Sequence, residues 1–431
     1  MKERILIVDN RGRGHALGWK LKVADGSREL FFAPGNYGTS KLGVNVDIDI
    51  TEIDRLERFA SDNEITLTVV GPEVALEKGI VNSFRKDNLA IFGPTQKAAI
   101  LETSKSRAIE FMQRHNIPHP ESKIFDNINE ALSFVENPTW AEIVVKAYGL
   151  AAGKGVILPD SIDRAKQAIK RIMIGKEFDD GKEVIIQKRL RGKEVSLICI
   201  TDGKTIVPLL PVRDYKRIDD EDKGPNTGGM GAFAPVPEVS KKLLEEIYNT
   251  ILIPTIRGME DEGKLYQGVL YAGLMLTEDG PKVLEYNSRF GDPETQVLMM
   301  LLKSDLYPAL KNAAEGRLRK KDIVFRKGAS VCVVLAAEGY PGRPKIGDVV
   351  HGLDTIDNPF VQIFDSGMIV RNGQIETNGG RVLAVTAYGK DIEDARRQVY
   401  GSIGQKGIIF RGAQYRSNVG KGVQRLRQRR G

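Results

Sequence analysis

The chain has 431 residues, of which 41% are hydrophobic and 28% charged, and a formal net charge of +7. That length exceeds one ordinary core and predicts about three domains, and no apolar run approaches the roughly 20 residues of a membrane helix. The 2 cysteines lie in apolar runs and the 4 histidines are scattered, which argues against a disulfide framework and against a histidine zinc site. The chain runs from Met-Lys-Glu-Arg straight into a strand without a signal-peptide pattern, so a reducing cytoplasm is expected. The positive charge points to anionic ligands. The basic residues are spread along the chain with no aromatic platform, which argues against nucleic acid.

The first hundred residues alternate short apolar runs with helical patterns. Strands are expected over 4–8, 30–33, 66–70 and 89–92, with a helix over 76–86 among the connections, a parallel βαβ pattern. Each strand ends in turn chemistry: Asp9-Asn-Arg-Gly-Arg-Gly14, Ala33-Pro-Gly-Asn36, Gly71-Pro-Glu73 and Gly93-Pro-Thr95. Ligands of open α/β sheets bind at the carboxyl ends of strands. One Gly-Pro turn merely stops a strand, but several on one rim point to a binding edge. Arg11, Arg13 and the amides of Gly12 and Gly14 are candidates for holding a phosphate there.

A helix is expected over 104–114 with Lys105 in its first turn, where a cation opposes the helix dipole unless an anion lies near. From 121 to 190 the pattern is strand, helix, strand, loop, strand, helix, strand. Its centre is Ile143-Val-Val-Lys-Ala-Tyr-Gly-Leu-Ala-Ala-Gly-Lys-Gly-Val-Ile157. Small residues let backbone N–H groups approach phosphate oxygens, and Lys154 adds a point charge. The loop joins strand to strand and lacks the Ser/Thr and helix of a Walker A motif, so it reads as a flap over phosphates, with Lys146 on the strand leading in. Glu194 follows where the chain leaves a hinge. The stretch 213–232 is long, polar and glycine-rich, the character of an active-site loop.

A helix over 240–262 leads to a hairpin over 269–290, which carries Lys282-Val-Leu-Glu-Tyr-Asn-Ser-Arg-Phe-Gly-Asp-Pro-Glu-Thr295. Strand alternation places Glu285, Asn287 and Arg289 on one face. Such groups are costly to bury unless paired or ligand-bound. Hard oxygen donors suit Mg²⁺, which keeps waters and bridges phosphates. Asp292 and Glu294 fall near a helix start, where a structural role is expected. Helices near 295–302 and 306–316 close the unit. From about 329 the chain turns strand-rich, with strands over 331–336, 349–353, 361–364 and 382–387 and a helix over 391–402 capped by Asp391, a small α+β unit. Its polar turns Tyr340-Pro-Gly342 and Thr377-Asn-Gly-Gly-Arg381 are placed to reach the site. The basic end at 425–430 reads as solvated.

Four strings carry a resemblance: Gly149-Leu-Ala-Ala-Gly-Lys-Gly155, Gly224-Pro-Asn-Thr-Gly-Gly-Met-Gly-Ala232, Tyr271-Ala-Gly-Leu-Met275 and Asn287-Ser-Arg-Phe-Gly-Asp-Pro-Glu-Thr295. They resemble the phosphoribosylamine–glycine ligase family, ATP-grasp enzymes of purine biosynthesis, and the likeness runs from residue 4 to about 420. It implies a multidomain fold of α/β and α+β class. A Rossmann-like parallel-sheet substrate domain is expected over 1–103, an ATP-grasp domain over 104–320 with a mobile lid at about 121–190, and a small C-terminal α+β domain over 325–431. The implied reaction uses ATP to phosphorylate the carboxylate of glycine, and the amine of 5-phospho-β-D-ribosylamine then attacks the acyl phosphate.

Residue by residue, Glu285 and Asn287 match the family's ligands for Mg²⁺ or Mn²⁺, and Lys105, Lys146, Gly153, Lys154 and Gly155 its ATP phosphate contacts. Gln187, Leu190 and Glu194 occupy the hinge that holds adenine and ribose. Asp214, Gly229, Met230, Gly231 and Arg289 are placed for glycine and the acyl phosphate, and Arg13, His15, Pro34, Gly35, Asn36 and Glu73 for phosphoribosylamine. The catalytic roles fall to Arg289, Asp214 and Lys154. A cytoplasmic monomer acting on small molecules, with neither nucleic acid nor membrane as partner, is the expectation.

Three places depart from the family's pattern. Its first loop reads Gly-Asn-Gly-Gly-Arg-Glu-His where this chain has Asp9-Asn10-Arg11-Gly12-Arg13-Gly14-His15. Its Lys-Ala-Asp-Gly is Lys146-Ala147-Tyr148-Gly149 here, and its paired hinge glutamates are Gln187 and Lys188. Two other readings compete. One is a different ATP-grasp carboxylate–amine ligase, against which the Gly224–Ala232 string stands. The other is a nucleotide-binding protein without turnover, against which the intact Glu285, Asn287, Lys154 and Arg289 stand.

Overall fold

The computed structural model describes residues 2–150 and 155–423. Strands β1 (Arg4–Asp9), β2 (Glu29–Pro34), β3 (Val44–Asn45), β4 (Leu67–Val70) and β5 (Ile91–Phe92) form one sheet in the order β3-β2-β1-β4-β5. Every pairing in it is parallel. Ile5, Leu6, Ile7 and Val8 of β1 are all fully buried, because helices cover both faces, and this is why the strand reads as an unbroken apolar run. The expected helix over 76–86 is instead two, Glu73–Glu77 and Ile80–Lys86. Gly79 stands between them at φ 84, a left-handed conformation that ends one helix and starts the next.

The next unit is antiparallel. Strands β6 (Ser122–Phe125), β7 (Ile143–Ala147), β8 (Val156–Ile157) and β9 (Val184–Lys188) lie in the order β6-β9-β7-β8. Helices Ile128–Glu136 and Ile162–Met173 pack on this sheet, capped by the side chains of Asn127 and Ser161. Val145, Ile169, Ile172 and Ile186 belong to a core private to this unit. The alternation read from the sequence over 121–190 is the one found.

Beyond it come β10 (Lys193–Thr201), β11 (Ile206–Pro208), β12 (Arg213–Asp214), β13 (Arg217–Asp219), β14 (Lys223–Asn226) and β15 (Gly231–Ala234). A helical run follows: Lys241–Ile247, a π-turn at Tyr248–Leu252, then Ile253–Asp261. Pro254, which has no N–H to donate, starts the last segment. Strands β16 (Gly268–Thr277) and β17 (Gly280–Asn287) complete a second antiparallel sheet, β11-β10-β16-β17.

The last strands are β18 (Ala329–Ala336), β19 (Val361–Asp365), β20 (Met368–Arg371), β21 (Gln374–Thr377) and β22 (Arg381–Gly389). Their main sheet runs β12-β15-β18-β22-β19, so it draws two strands from the middle of the chain. The strand expected over 349–353 makes only isolated bridges, Val349 with Glu376 and His351 with Ile409. Gly347 just before it (φ 91) and Gly352 within it (φ 81) are left-handed and break the ladder. The β20–β21 hairpin was not anticipated, though its Asn372-Gly373 turn, left-handed at both residues, is a standard hairpin signal. Asp391 caps the helix Ile392–Gly401 as expected, accepting from the N–H of Asp394.

One apolar cluster joins the units. It takes Ile5 and Phe32 from the parallel sheet, Ile198 and Val269 from the second, Cys332 and Ala384 from the last, and the inward face of the helix Glu294–Leu301 between them. Both cysteines are buried and free, as their apolar settings predicted. Among the described residues no helix is long and apolar enough to cross a membrane.

Candidate active site

Strand β17 delivers Glu285 and Asn287, but it ends at Asn287. The single strand face expected to hold Glu285, Asn287 and Arg289 therefore stops short of the arginine. The chain turns after Asn287, and Arg289 folds back so that its Nη2 donates to Asn287 Oδ1 at 3.4 Å. The guanidinium is already paired with two carboxylates of this chain. Its Nε donates to Glu73 Oε2 at 2.9 Å and its Nη2 lies 3.1 Å from Glu102 Oε1. Burial would raise the Glu73 carboxyl, but the cations of Arg289 and Arg13 outweigh it and hold the group at about 2. Glu102 is more deeply enclosed, and there burial wins over Arg289 and pushes the carboxyl up to about 7. The two carboxylates together keep Arg289 firmly charged despite its burial.

Glu285 sits among lysines. Burial pushes its carboxyl up, but Lys216, Lys146 and Lys105 bring it below the ordinary glutamate range, so it is ionised. Lys216 Nζ is 3.6 Å from Glu285 Oε1 and 3.5 Å from Glu194 Oε2. Burial lowers Lys146 to about 8, and its Nζ donates to the Leu284 carbonyl at 3.2 Å. Lys105 is tied to the base of the flap: its backbone N–H donates to Tyr148 O at 2.7 Å and its Nζ to Gly149 O at 2.6 Å. Tyr148 OH and the N–H of Gly149 in turn donate to Asp180 and Asp179. Lys105, Lys146, Gln187 and Glu285 line one pocket over an apolar floor that includes Ala108 and Met112. Gln187 is buried there and donates to Ser122 Oγ at 2.8 Å. Leu190 is half-buried in the passage from β9 to β10, and Glu194 is exposed on β10. The carbonyl of Gly155 accepts from the N–H of Ala147 across the start of β8. Gly153 and Lys154 lie outside the described residues, as does the basic stretch at 425–430.

Asp214, on β12, has its carboxyl raised to about 7 by burial, against the pull of Lys216. Ser196 Oγ donates to it at 3.4 Å and lies 2.7 Å from Tyr271 OH, which donates to Glu294 Oε1 at 2.6 Å. The glycine-rich loop is fixed from two sides. Met230, whose side chain is fully buried, donates its N–H to Tyr215 O, and the N–H of Gly229 donates to Thr227 Oγ1. A Cβ on Gly231 would lie 2.7 Å from the Cys332 carbonyl, so only glycine fits that strand. From the C-terminal sheet, Arg381 Nη1 donates to the carbonyls of Gly228 (2.7 Å) and Asp292 (2.8 Å), and Tyr340 OH accepts from the N–H of Gly228 at 2.9 Å. The two polar turns singled out in the sequence do reach this loop.

The parallel-sheet rim divides its residues. Asn36, next to Pro34 and the left-handed Gly35, donates from its amide to the carbonyls of Asn10 and Asp365. Arg13 and His15, expected to face substrate, point inward instead. Arg13 Nε donates to Asp9 Oδ2 at 2.7 Å and its Nη1 to Phe290 O at 3.0 Å. His15 Nδ1 accepts from the N–H of Asp365 at 2.9 Å, and burial lowers the ring to about 4, so it is a neutral joint to the C-terminal unit. Asp292 accepts from the N–H of Arg13 at 3.2 Å and faces Arg381, and Glu294 is held by Tyr271, contacts that fit the structural reading of both. Sequence reasoning missed Glu102, Ser196 and Lys216 as members of the site. Lys216 carried a signal, since it lies in the long polar stretch already marked.

Two hard oxygens are on offer from the end of β17: the ionised Glu285 carboxylate, which lines the pocket, and the Asn287 amide oxygen, which accepts from Arg289. Among the described residues no group of three His, Cys, Asp or Glu could hold a metal by itself. A pair of oxygens fits Mg²⁺, which takes one or two protein ligands and completes its shell with water and phosphate.

The antiparallel β6-β9-β7-β8 unit followed by the β11-β10-β16-β17 sheet, with Lys105, Lys146, Gln187 and Glu285 lining one pocket, fits the ATP-grasp class. Solved structures agree on the fold: the biotin carboxylase of Campylobacter jejuni superposes with a TM-score of 0.71 at 13% identity, covering 96% of this chain and 93% of that one. Family profiles narrow the class. Those described as the N domain, ATP-grasp (A) domain and C domain of phosphoribosylglycinamide synthetase match residues 3–102, 103–295 and 330–422. The chain belongs to the phosphoribosylglycinamide synthetase family. It is 41% identical over 420 residues to the phosphoribosylamine–glycine ligase of Caldanaerobacter subterraneus, covering 97% of this chain and 100% of that protein. It is 44% identical over 436 residues to the trifunctional purine biosynthetic protein adenosine-3 of Gallus gallus, of which the chain spans 43% of the length. The structure of phosphoribosylamine–glycine ligase from Thermotoga maritima matches with a TM-score of 0.82 at 33% identity, covering 96% of this chain and 99% of that one.

Proposed function

We propose that this chain joins glycine to 5-phospho-β-D-ribosylamine at the expense of ATP, giving glycinamide ribonucleotide, ADP and phosphate by way of glycyl phosphate. The observation that carries the reading is a line of polar side chains between the two ends of the site. Lys146 and Glu285 line the nucleotide pocket, Glu285 feels the charge of Arg289, and Arg289 bonds Asn287 and reaches Glu73 on the rim of the parallel sheet. A phosphoryl donor at one end and an amine at the other would meet at its middle.

Chemistry of this kind needs no side-chain nucleophile. It needs neutralised phosphoryl charge, in-line placement and exclusion of water. Lys105, Lys146 and Lys154, with the amides of Gly153 and Gly155, serve the phosphates, and Gln187, Leu190 and Glu194 the adenine and ribose. Glu285 and Asn287 would hold Mg²⁺ or Mn²⁺, which supplies charge neutralisation at the phosphate oxygens. Asp214 and the Gly229–Gly231 loop hold glycine. Arg289, already paired with Glu73 and Glu102, fixes those carboxylates and lends its field to the acyl phosphate. Pro34, Gly35, Asn36 and Glu73 line the phosphoribosylamine side, with Arg13 and His15 supporting it from behind. The chain acts as a cytoplasmic monomer on small molecules, without nucleic acid or membrane. Its two buried, free cysteines suit a reducing compartment.

The test is direct. Purified protein is mixed with Mg-ATP, glycine and freshly made phosphoribosylamine, and ADP and the amide product are measured. ADP release that requires both co-substrates is expected. ATP hydrolysis indifferent to glycine, or no turnover, rejects the reading.

A further inference from the structure

Among the described residues the largest fully buried side chain is an arginine, Arg416, at 1% exposure. It lies in a segment over 414–420 to which the proposed chemistry gives no part. Its guanidinium is turned onto the β13–β14 hairpin. Nη1 donates to Asp222 Oδ1 at 2.7 Å and to the Arg217 carbonyl at 3.2 Å, and the group lies 4.6 Å from the ring centre of Tyr215. Nε donates to Asn418 Oδ1 at 2.9 Å, so the arginine is also held from its own segment. Two neighbours repeat the contact. The N–H of Ser417 donates to Asp220 Oδ1 at 2.9 Å, and the N–H of Gly420 to Tyr215 OH at 2.8 Å. The segment is itself anchored. Tyr400, near the end of the helix Ile392–Gly401, donates from its OH to the Arg416 carbonyl at 2.7 Å and accepts from the N–H of Val419 at 3.2 Å.

The hairpin needs holding at its tip. Glu221 and Asp222 stand there at φ 59 and 52, a left-handed conformation disfavoured for residues with a Cβ. The bonds from Arg416 and Ser417 to Asp222 and Asp220 offset that strain. At the base of the hairpin, residues 214–217 face two ways. Asp214 and Lys216 turn into the site, the first towards Ser196 and the second towards Glu285 and Glu194. The Tyr215 ring and the Arg217 carbonyl turn to Arg416. The backbone between them carries the glycine-rich loop. Tyr215 O accepts from the N–H of Met230 at 2.7 Å, and Lys216 O from the N–H of Thr227 at 2.8 Å. A shift at Tyr215 therefore moves Asp214, Lys216 and the turn at 227–230 together.

We propose that Arg416 is a positioning residue for the amino-acid substrate. The 414–420 segment clamps Tyr215 and the hairpin tip, and so fixes where Asp214, Lys216 and the glycine-rich loop stand. Arg416 touches no reacting atom. Its planar fork serves a carboxylate and a carbonyl while its face lies on the Tyr215 ring, a combination that the single point charge of lysine does not reproduce. The assignment rests on the ligase reading above, in which Asp214 and this loop hold glycine.

The experiment uses the full chain with Arg416→Ala, Arg416→Lys and Tyr215→Phe, the last of which keeps the ring and loses the bond from Gly420. Val361→Ala, on β19 at the opposite edge of the sheet from β12, is the control for a purely structural loss. KM for glycine and for ATP, kcat and the thermal midpoint are read for each. Arg416→Ala is expected to raise KM for glycine about tenfold or more, and Arg416→Lys and Tyr215→Phe about fivefold, with KM for ATP held within about twofold. Val361→Ala is expected to lower the thermal midpoint and to leave KM for glycine within about twofold. Hydrogen exchange is followed in parallel. In Arg416→Ala the amides of Thr227 and Met230 should exchange about tenfold faster relative to those of β10. Should Arg416→Ala fail to fold, Arg416→Lys and Tyr215→Phe decide by the same readouts. An unchanged glycine KM in the clamp variants overturns the positioning role, and so does an equal rise in Val361→Ala. Absence of turnover in the parent defeats the ligase reading instead. Exchange then decides the clamp alone, and protection of Thr227 and Met230 unaltered by loss of Arg416 overturns it.

Discussion

Glu102 is 5% exposed and takes a hydrogen bond from the N–H of Ser288 at 2.7 Å. Burial pushes its carboxyl from 4.5 up to about 7. Between those two values the native state holds a proton that the unfolded chain has released, so this group's contribution to stability is full below about 4.5 and falls as pH rises towards about 7. Glu102→Gln keeps the shape and removes the titration. Guanidinium unfolding of both proteins at low and at neutral pH should show the parent losing on the order of 2 kcal/mol more than the variant across that window. Equal losses would mean that Arg289 holds Glu102 ionised throughout. The neighbours of Glu102 differed in how readable they were. Glu285, Lys146 and Glu73 announced themselves because each sits in a strand end or turn whose residue types have few other uses. Glu102 did not, since one carboxylate in Ile-Leu-Glu-Thr looks like the outer face of a short helix. Only the distant Ser288 and Arg289 make it an inner one. Arg13 and His15 were visible as polar residues of the first loop, but their direction is set by Phe290 and Asp365, far along the chain.

Strands β7 and β8 enclose the flap, and the base of that flap is already pinned. Lys105 takes hold of Tyr148 and Gly149 from one side, and Asp179 and Asp180 from the other. The β6-β9-β7-β8 unit, proposed as a lid, also has a core of its own, separate from the cluster that unites the other sheets. A unit with a private core can open by itself. Hydrogen exchange should therefore find the amides of β7, β8 and Tyr148–Gly149 less protected than those of β1 and β4, and slowed several-fold by Mg-ATP. Protection unaltered by nucleotide would remove the closing motion from the reading. This element was legible because both of its periods are local: alternation marks the strands, and a run of small residues marks the loop. β12 and β15 were not legible. They are 2 and 4 residues long and pair into a sheet whose next strand, β18, begins at Ala329. No local pattern names such a partner. The expected strand over 349–353 failed in the opposite sense, because its β-branched residues suggested a ladder that the left-handed Gly347 and Gly352 prevent.

The units are locked to one another by charge as well as by apolar packing. Arg28, only 3% exposed, follows the first helix and donates to both oxygens of Asp305, at 2.8 and 2.5 Å. Asp305 also caps the helix Leu306–Ala314 through the N–H of Tyr307. Asp305→Ala loses the cap and leaves the buried Arg28 guanidinium with Glu3 as its remaining carboxylate, for which about 2 kcal/mol of destabilisation is expected in urea unfolding, with kcat near the parent value at low temperature. A loss below about 0.5 kcal/mol would show that Glu3, the other partner of Arg28, suffices on its own.

The β12-β15-β18-β22-β19 sheet has a consequence for how this protein can be divided. A cut near residue 325 respects the order of the chain but runs through a sheet. It leaves β15 in the leading fragment with a bare edge and the apolar Phe233 uncovered, an invitation to self-association. The leading piece should accordingly precipitate or oligomerise when made alone. It should become monodisperse when the trailing piece is co-expressed, because β18 then docks on β15 by strand addition. Light scattering of the two preparations distinguishes this from a leading piece that folds unaided. The molecule would then behave as a natural split protein, whose two halves report on their own meeting.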